Sequence, residues 1–232
     1  EVATETRIVP GDERFSHPAF DDFQAAYSSS FSPTGAFTLQ ARKSGDGSTL
    51  VLVDIIPMAD NVIVSQRPID LTAHAVKFGA GPYFAWGPEF VISRSDPQSS
   101  AWTRVPIMGG ETKVALGEGN GTGYVTDMFS PTLAALLPMP AGTTFQLPAA
   151  YPRANETLSI EWDSYTIVRR EDLSTPSGIA CECWLVEKRG WDKSVEHIWV
   201  AQTAPFVFRR DRHVGTPKAF TSELVAFEKL EQ

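Results

Sequence analysis

Short runs in which apolar and polar residues alternate cover most of this sequence, and they constrain the fold more than any other feature. Alternation with a period of two is typical of β-strands that bury one face. Clusters of Gly, Pro, Asn, Asp and Ser separate the runs, as at 43–47 and 175–178. The pattern predicts a mostly β fold, and we expect a single curved antiparallel sheet in the form of a half-barrel or open barrel.

One segment, 130–137, departs from the β pattern. Ser130 is a favourable N-cap, Pro131 suits the first helical position, and Pro138 ends the run of helix-forming residues between them. We therefore predict one short apolar helix that covers the sheet.

Composition excludes several classes of protein. With 42% hydrophobic and 21% charged residues, the chain has the composition of a folded domain. A net charge of -8 and a pI near 5.0 argue against nucleic acid as a partner, because phosphate binding needs clustered Lys and Arg. No apolar run approaches the roughly 20 residues of a transmembrane helix.

The chain contains no internal repeat and no linker that would force two domains. We expect a single β domain over 23–232. The preceding residues 1–22 are rich in acidic side chains and lack periodicity, so we expect an extension that packs on the domain.

The regular hairpins after Thr157 allow the side chains to be assigned to two faces, if short loops set the pairing. One face is then apolar and carries Trp162, Trp184, Ile198 and Phe208. An exposed patch of this kind would be unusual for a soluble protein, so the short helix is expected to cover it.

A sheet closed over by a helix either encloses a cavity for a hydrophobic ligand or holds a solid core, and the residue types allow both. In the cavity interpretation the protein is a carrier of a hydrophobic or amphipathic, lipid-like molecule. The predicted lining consists of Phe84, Trp86, Phe90, Leu133, Leu136, Trp162, Trp184, Ile198 and Phe208. In the solid-core interpretation the protein is an interaction module that contacts a partner through its loops.

The other face is mixed and suggests an enzyme as the alternative. Glu161 and Asp163 project to the same side of one strand, and His197 lies two strands away in the assumed pairing. Such groups could serve as acid and base in a hydrolase or lyase that acts on a glycan or a lipid-linked substrate. A solvated sheet face uses the same residue types.

Metal and cofactor sites are not predicted. Cys181, Cys183, His197 and His213 lack the second closely spaced ligand pair of a zinc site, and buried inert thiols are the simpler interpretation. Two cysteines that alternate on a strand also lie about 7 Å apart, which is unfavourable for a disulfide between them. The glycines of 117–123 lack the spacing of a dinucleotide fingerprint.

The stretch from Leu137 to Leu224 resembles exported bacterial proteins grouped as domain of unknown function 3108. The shared features are turn and strand motifs. They read PAGTTFQL at 140–147, EDLSTPSGIAC at 171–181, IWVAQTAPFVFR at 198–209 and EL at 223–224.

The resemblance implies a half-barrel similar in shape to periplasmic lipoprotein-sorting carriers, which hold acyl chains on a concave apolar sheet under a helical lid. It also implies a periplasmic or secreted protein with transient contact to the cell envelope. The family has no common catalytic residues to transfer to this chain, and its fold by itself does not specify a reaction.

Overall fold

The structure is a computed structural model. It describes residues 6–8, 22–30, 34–43, 45, 49–57, 62–70, 75–76, 83–86, 90–94, 101–106, 112–115, 140–152, 158–190 and 192–230.

Sixteen β-strands lie within these residues. They are β1 Thr6–Arg7, β2 Phe23–Ser29, β3 Ala36–Lys43, β4 Thr49–Pro57, β5 Val62–Asp70, β6 Ala75–Val76, β7 Tyr83–Trp86, β8 Phe90–Arg94, β9 Ala101–Pro106, β10 Thr112–Ala115, β11 Thr144–Pro152, β12 Leu158–Ser174, β13 Ala180–Arg189, β14 Val195–Val200, β15 Val207–Arg212 and β16 Phe220–Lys229. The prediction of a mostly β protein is confirmed.

Twelve strands form the main sheet in the order β1-β11-β12-β13-β14-β15-β16-β2-β3-β4-β5-β6, in which β1 and β6 have two residues each. The sheet is open, because β1 and β6 end the described order without pairing with each other. Its neighbouring strands are antiparallel except for β1, which lies parallel to β11. Four further strands form a second sheet in the order β10-β9-β8-β7.

These features refine the expected architecture. The expectation of one purely antiparallel sheet is wrong in two details, since β1 is parallel and a second sheet is present. β1 belongs to the predicted extension, and Ile8 beside it is only 4% exposed. No helix occurs in the described ranges, and the segment 130–137 lies outside them.

The long hairpin of β12 and β13 contains a register shift that changes which side chains share a face. Ile167 lies opposite Val186, whereas Arg169 lies opposite Leu185, so Val168 is the extra residue of a β-bulge. Because side chains alternate along a strand, one extra residue exchanges the two faces of β12. Tyr165 therefore faces the same side as Lys188, and beyond the bulge Glu171 faces the same side as Cys183.

The turn between β12 and β13 follows from its residues. The Thr175 hydroxyl accepts a hydrogen bond from the amide of Ile179 at 3.0 Å, and Gly178 has a φ of 85°. This left-handed conformation is strained for any residue with a Cβ atom, which accounts for the glycine. Ser177 at the tip donates to the carbonyl of Val225 on β16, so the hairpin reaches past the shorter strands β14 and β15.

The buried hydrophobic residues whose side chains the structure describes form a single cluster centred on β12–β16 and β2–β3. Aromatic rings fill much of it, with Tyr27 stacked on Phe37 at 4.9 Å and Phe23 edge-on to Phe206 at 6.0 Å. We call the side of the main sheet that carries most of this cluster the core face. Its buried members include Ile167, Val186, Ile198, Val200, Phe208 and Leu224.

Candidate binding face and its opposite face

The core face is charged at one end of the strands. Lys188 Nζ lies 3.0 Å from Asp163 Oδ2, and their side chains are 3% and 0% exposed. Glu196, opposite Lys188 in the register of β13 and β14, forms an ion pair with Arg210 and lies 3.8 Å from Arg212 Nε. Buried charges are tolerated when they are paired in this way.

Aromatic rings contact these charges. Lys188 Nζ lies 6.0 Å from the centroid of the Tyr165 ring, and the guanidinium of Arg212 lies 5.4 Å from that of Phe220. Burial lowers the pKa of Arg212 to about 10, so the side chain stays charged at neutral pH. Ser222 and Ser29 continue the polar region with a hydrogen bond of 3.0 Å between their hydroxyls.

Farther along the strands the same face is apolar around Trp184, beside which the exposed Arg170 lies with its guanidinium 5.0 Å from the ring centroid. Val200 lies opposite Trp184, and Phe208 and Leu224 belong to the neighbouring strands. Lys188 lies four positions after Trp184, so the polarity changes over about 13 Å at the rise of a β-strand. The core face is thus amphipathic along the strand direction.

A second cluster lies on the opposite face. The indole N–H of Trp199 donates to Glu171, and the guanidinium of Arg209 lies over the Trp199 ring at 5.0 Å. Arg209 also donates two hydrogen bonds to Asp211, at 3.0 and 2.9 Å. Glu223 lies opposite Arg209 in the register of β15 and β16.

The electrostatics of this cluster keep its charges ionised. The hydrogen bond from Trp199 lowers the pKa of the Glu171 carboxyl, and Arg169 adds a smaller effect in the same direction. The hydrogen bonds to Asp211 raise the pKa of Arg209. Glu171, Trp199, Arg209 and Glu223 also belong to the motifs at 171–181, 198–209 and 223–224. These distant motifs therefore meet at one place in the fold.

The structure brings together only part of the predicted ligand lining. Trp184, Ile198 and Phe208 share the core face. Trp162 lies on the opposite face because the bulge at Val168 exchanges the faces of β12, and Arg7 stacks on its ring at 4.8 Å.

The structure describes no side chain for the remaining predicted lining residues. Phe84 and Trp86 lie on β7 and Phe90 lies on β8, in the second sheet, where only the strands are described. Leu133 and Leu136 lie outside the described residues.

The predicted acid and base do not meet. Asp163 faces the same side as Lys188, whereas His197 lies opposite Glu187 on the other face, with its Nε2 3.4 Å from Glu187 Oε2. The expectation that Asp163 shares a face with His197 is wrong, because the bulge at Val168 places Asp163 on the core face. Glu161 lies on β12, where the structure does not describe its side chain.

Both cysteines are free thiols on β13, with Cys183 buried and Cys181 half-buried. A hydrogen bond from Cys183 lowers the pKa of Cys181, and the same bond together with burial raises the pKa of Cys183. Among the described residues no three His, Cys, Asp or Glu side chains form a cluster that could hold a metal ion.

The charged end of the core face was not predicted from the sequence. Lys188 and Glu196 occupy positions that alternate with buried apolar residues, as in Glu196, Ile198 and Val200. A charged residue at an inward position of a strand was the available signal, because burial of a charge requires a partner.

The similarity of the chain to known proteins is limited. Among curated proteins, none matches the sequence significantly. A solved structure from Bacteroides fragilis, named as a candidate exported protein with a YmcC-like fold, is 13% identical in sequence. The alignment covers 93% of this chain and 100% of that chain, with a TM-score of 0.30.

A family model described as "Protein of unknown function (DUF3108)" matches residues 120–224. This region includes the charged end of the core face and the Trp199 cluster opposite it. Residues 120–224, a little under half of the chain, are thus similar to the DUF3108 family of proteins of unknown function.

Proposed function

We propose that the core face binds an amphipathic, lipid-like molecule and that the protein is a carrier of it. The apolar part of the ligand lies against Trp184, Val200 and Phe208, and its polar part lies towards Lys188 and Arg212. The carrier is exported to the periplasm or beyond, where it contacts the cell envelope transiently.

The observation that supports this proposal is the change of polarity along one face. A ligand with an apolar chain and a polar head would match both kinds of surface. Burial of the apolar chain supplies most of the affinity, at about 25 cal/mol per Å² before the costs of association.

The acid–base alternative has less support. Asp163 is held by Lys188 at 3.0 Å, and His197 lies on the other side of the sheet. A general acid and base must both reach one substrate, which this separation disfavours.

The bulge at Val168 provides a matched pair of variants for the test. Trp184→Glu places a carboxylate at the apolar end of the core face, and Trp162→Glu makes the same change on the opposite face. Trp184 is half-buried, and a carboxylate at its position would face the apolar chain of the ligand. We expect Trp184→Glu to weaken binding of a dansyl-labelled fatty acid by at least about tenfold, equivalent to 1.4 kcal/mol. Trp162→Glu should bind as the unmodified protein does.

Native mass spectrometry of protein purified without detergent identifies the natural ligand. A bound mass that is lost on denaturation supports the carrier. Unchanged retention in a folded Trp184→Glu variant contradicts the proposed face. If neither the probe nor a natural ligand binds the unmodified protein, the core face is a solid core. Near-UV circular dichroism confirms folding, and Trp184→Ala is the milder variant if the glutamate unfolds the protein.

A further inference from the structure

Cys181 and Cys183 form a pair of thiols on one face of β13. They occupy alternate positions of the strand, so their side chains project to the same side, opposite Leu173 and Glu171 of β12. Cys183 is buried and Cys181 is half-buried, so the pair is shielded but reachable from one side.

The backbone spacing disfavours a disulfide. Alternate Cα atoms of a strand are about 7 Å apart, at or beyond the upper end of the range for a disulfide. A bridge that includes a metal atom between the sulfur atoms is longer than a direct S–S bond. The spacing therefore suits two thiolates that share one metal ion.

The donor set selects the kind of ion. Zinc in a structural site requires four ligands, and no cluster of three potential ligands occurs among the residues that the structure describes. Thiolates are soft donors that favour Cu(I). We propose that Cys181 and Cys183 bind one Cu(I) ion as a two-coordinate dithiolate.

Binding requires no oxidant. Each thiol releases its proton to solvent as its S–Cu bond forms, and copper remains in the monovalent state. The bound centre carries one negative charge, from two thiolates and one monovalent cation. The burial of Cys183 limits the access of oxidising agents to the sulfur atoms.

The test is a titration of the reduced protein with Cu(I) under anaerobic conditions, in competition with bicinchoninate. We expect the protein to retain one Cu(I) per chain, with X-ray absorption showing two sulfur neighbours. Cys181→Ser and Cys183→Ser should each lose the retained copper. Glu182→Gln is the matched control, because it alters the charge between the cysteines while its own side chain points to the other face.

Cys183 lies in the core, so replacing it with serine also affects folding. A second measurement that leaves Cys183 unchanged is therefore needed. Alkylation of the half-buried Cys181 in the unmodified protein should also abolish copper retention. The proposal is overturned if the reduced protein retains no copper, or if Cys181→Ser or the alkylated protein retains it fully. A spectrum with more than two strong ligands also overturns the two-coordinate site. No lipid enters this experiment, so its outcome is independent of the proposed carrier function.

Discussion

Lys188 and Asp163 form an ion pair across 3.0 Å on the core face, where both side chains are almost completely buried. The two residues come from neighbouring strands, and the pair exists because β12 presents Asp163 inward before its bulge. Removing two charges from water is costly, so the pair is tolerated only while both partners are present.

Asp163→Asn should destabilise the protein by about 3–5 kcal/mol, because it leaves the Lys188 charge buried without its carboxylate. Urea denaturation at neutral pH measures the change. The double variant Asp163→Leu with Lys188→Met removes both charges at similar volume and should recover most of the loss. A loss below about 1 kcal/mol for Asp163→Asn, the range of an exposed pair, would contradict the burial of this pair.

Trp199→Phe should change the acid sensitivity of the protein. The hydrogen bond from Trp199 lowers the pKa of Glu171 in the folded state, so the stabilisation is complete above the ordinary pKa of 4.5. It is lost as the pH falls through the lowered value. We therefore expect Trp199→Phe to be less stable than the unmodified protein at neutral pH, and the difference to shrink below pH 4.5.

Urea midpoints measured across this pH range test the linkage. Trp184→Phe is the matched control, since Trp184 lies on the core face, away from Glu171. The stability of the Trp184→Phe variant should not approach that of the unmodified protein as the pH falls. A constant difference for Trp199→Phe at all pH values would assign its effect to packing alone.

Gly178→Ala should destabilise the β12–β13 hairpin by about 1–2 kcal/mol, the cost of a left-handed conformation for a residue with a Cβ atom. The φ of Gly178 is 85°, and an added Cβ atom would meet nothing within 4 Å, so strain is the whole effect. Gly45→Ala is the control, because Gly45 has equal space and no positive φ. Thermal unfolding should separate the two variants, and equal stabilities would contradict the argument.

Arg209→Lys should destabilise the protein by about 1 kcal/mol although the charge is kept. Lysine can neither stack on the Trp199 ring as the guanidinium does nor donate two parallel hydrogen bonds to Asp211. Arg189→Lys is the comparison. Arg189 is 62% exposed and pairs with Glu187 at 2.7 Å, so its replacement should change stability very little. Chemical denaturation measures the loss of stability in both variants. Equal losses would mean that the Trp199 cluster contributes only charge.

Much of the strand content could be predicted from local sequence. Alternation of apolar and polar residues gave the strands around Trp184, Ile198 and Phe208, and the Thr175–Gly178 turn signalled its hairpin. These features depend on residues close in the chain, so period and turn chemistry are sufficient to indicate them.

The faces of the strands could not be predicted with the same success. The predicted faces of Trp162 and Asp163 are wrong because Val168 adds one residue to β12. The added residue moves every β12 side chain before it to the other face, relative to β13. Nothing in the local pattern around Val168 marks this bulge.

The sequence by itself determined a mostly β chain, its hairpin turns and the motifs around Glu171, Trp199 and Arg209. The tertiary structure alone decided that these motifs meet at one place, that Lys188 finds Asp163, and that His197 lies on the other side of the sheet. Strand propensity is local, whereas the register between strands depends on how bulges and buried charges are accommodated together, and only the assembled sheet specifies that.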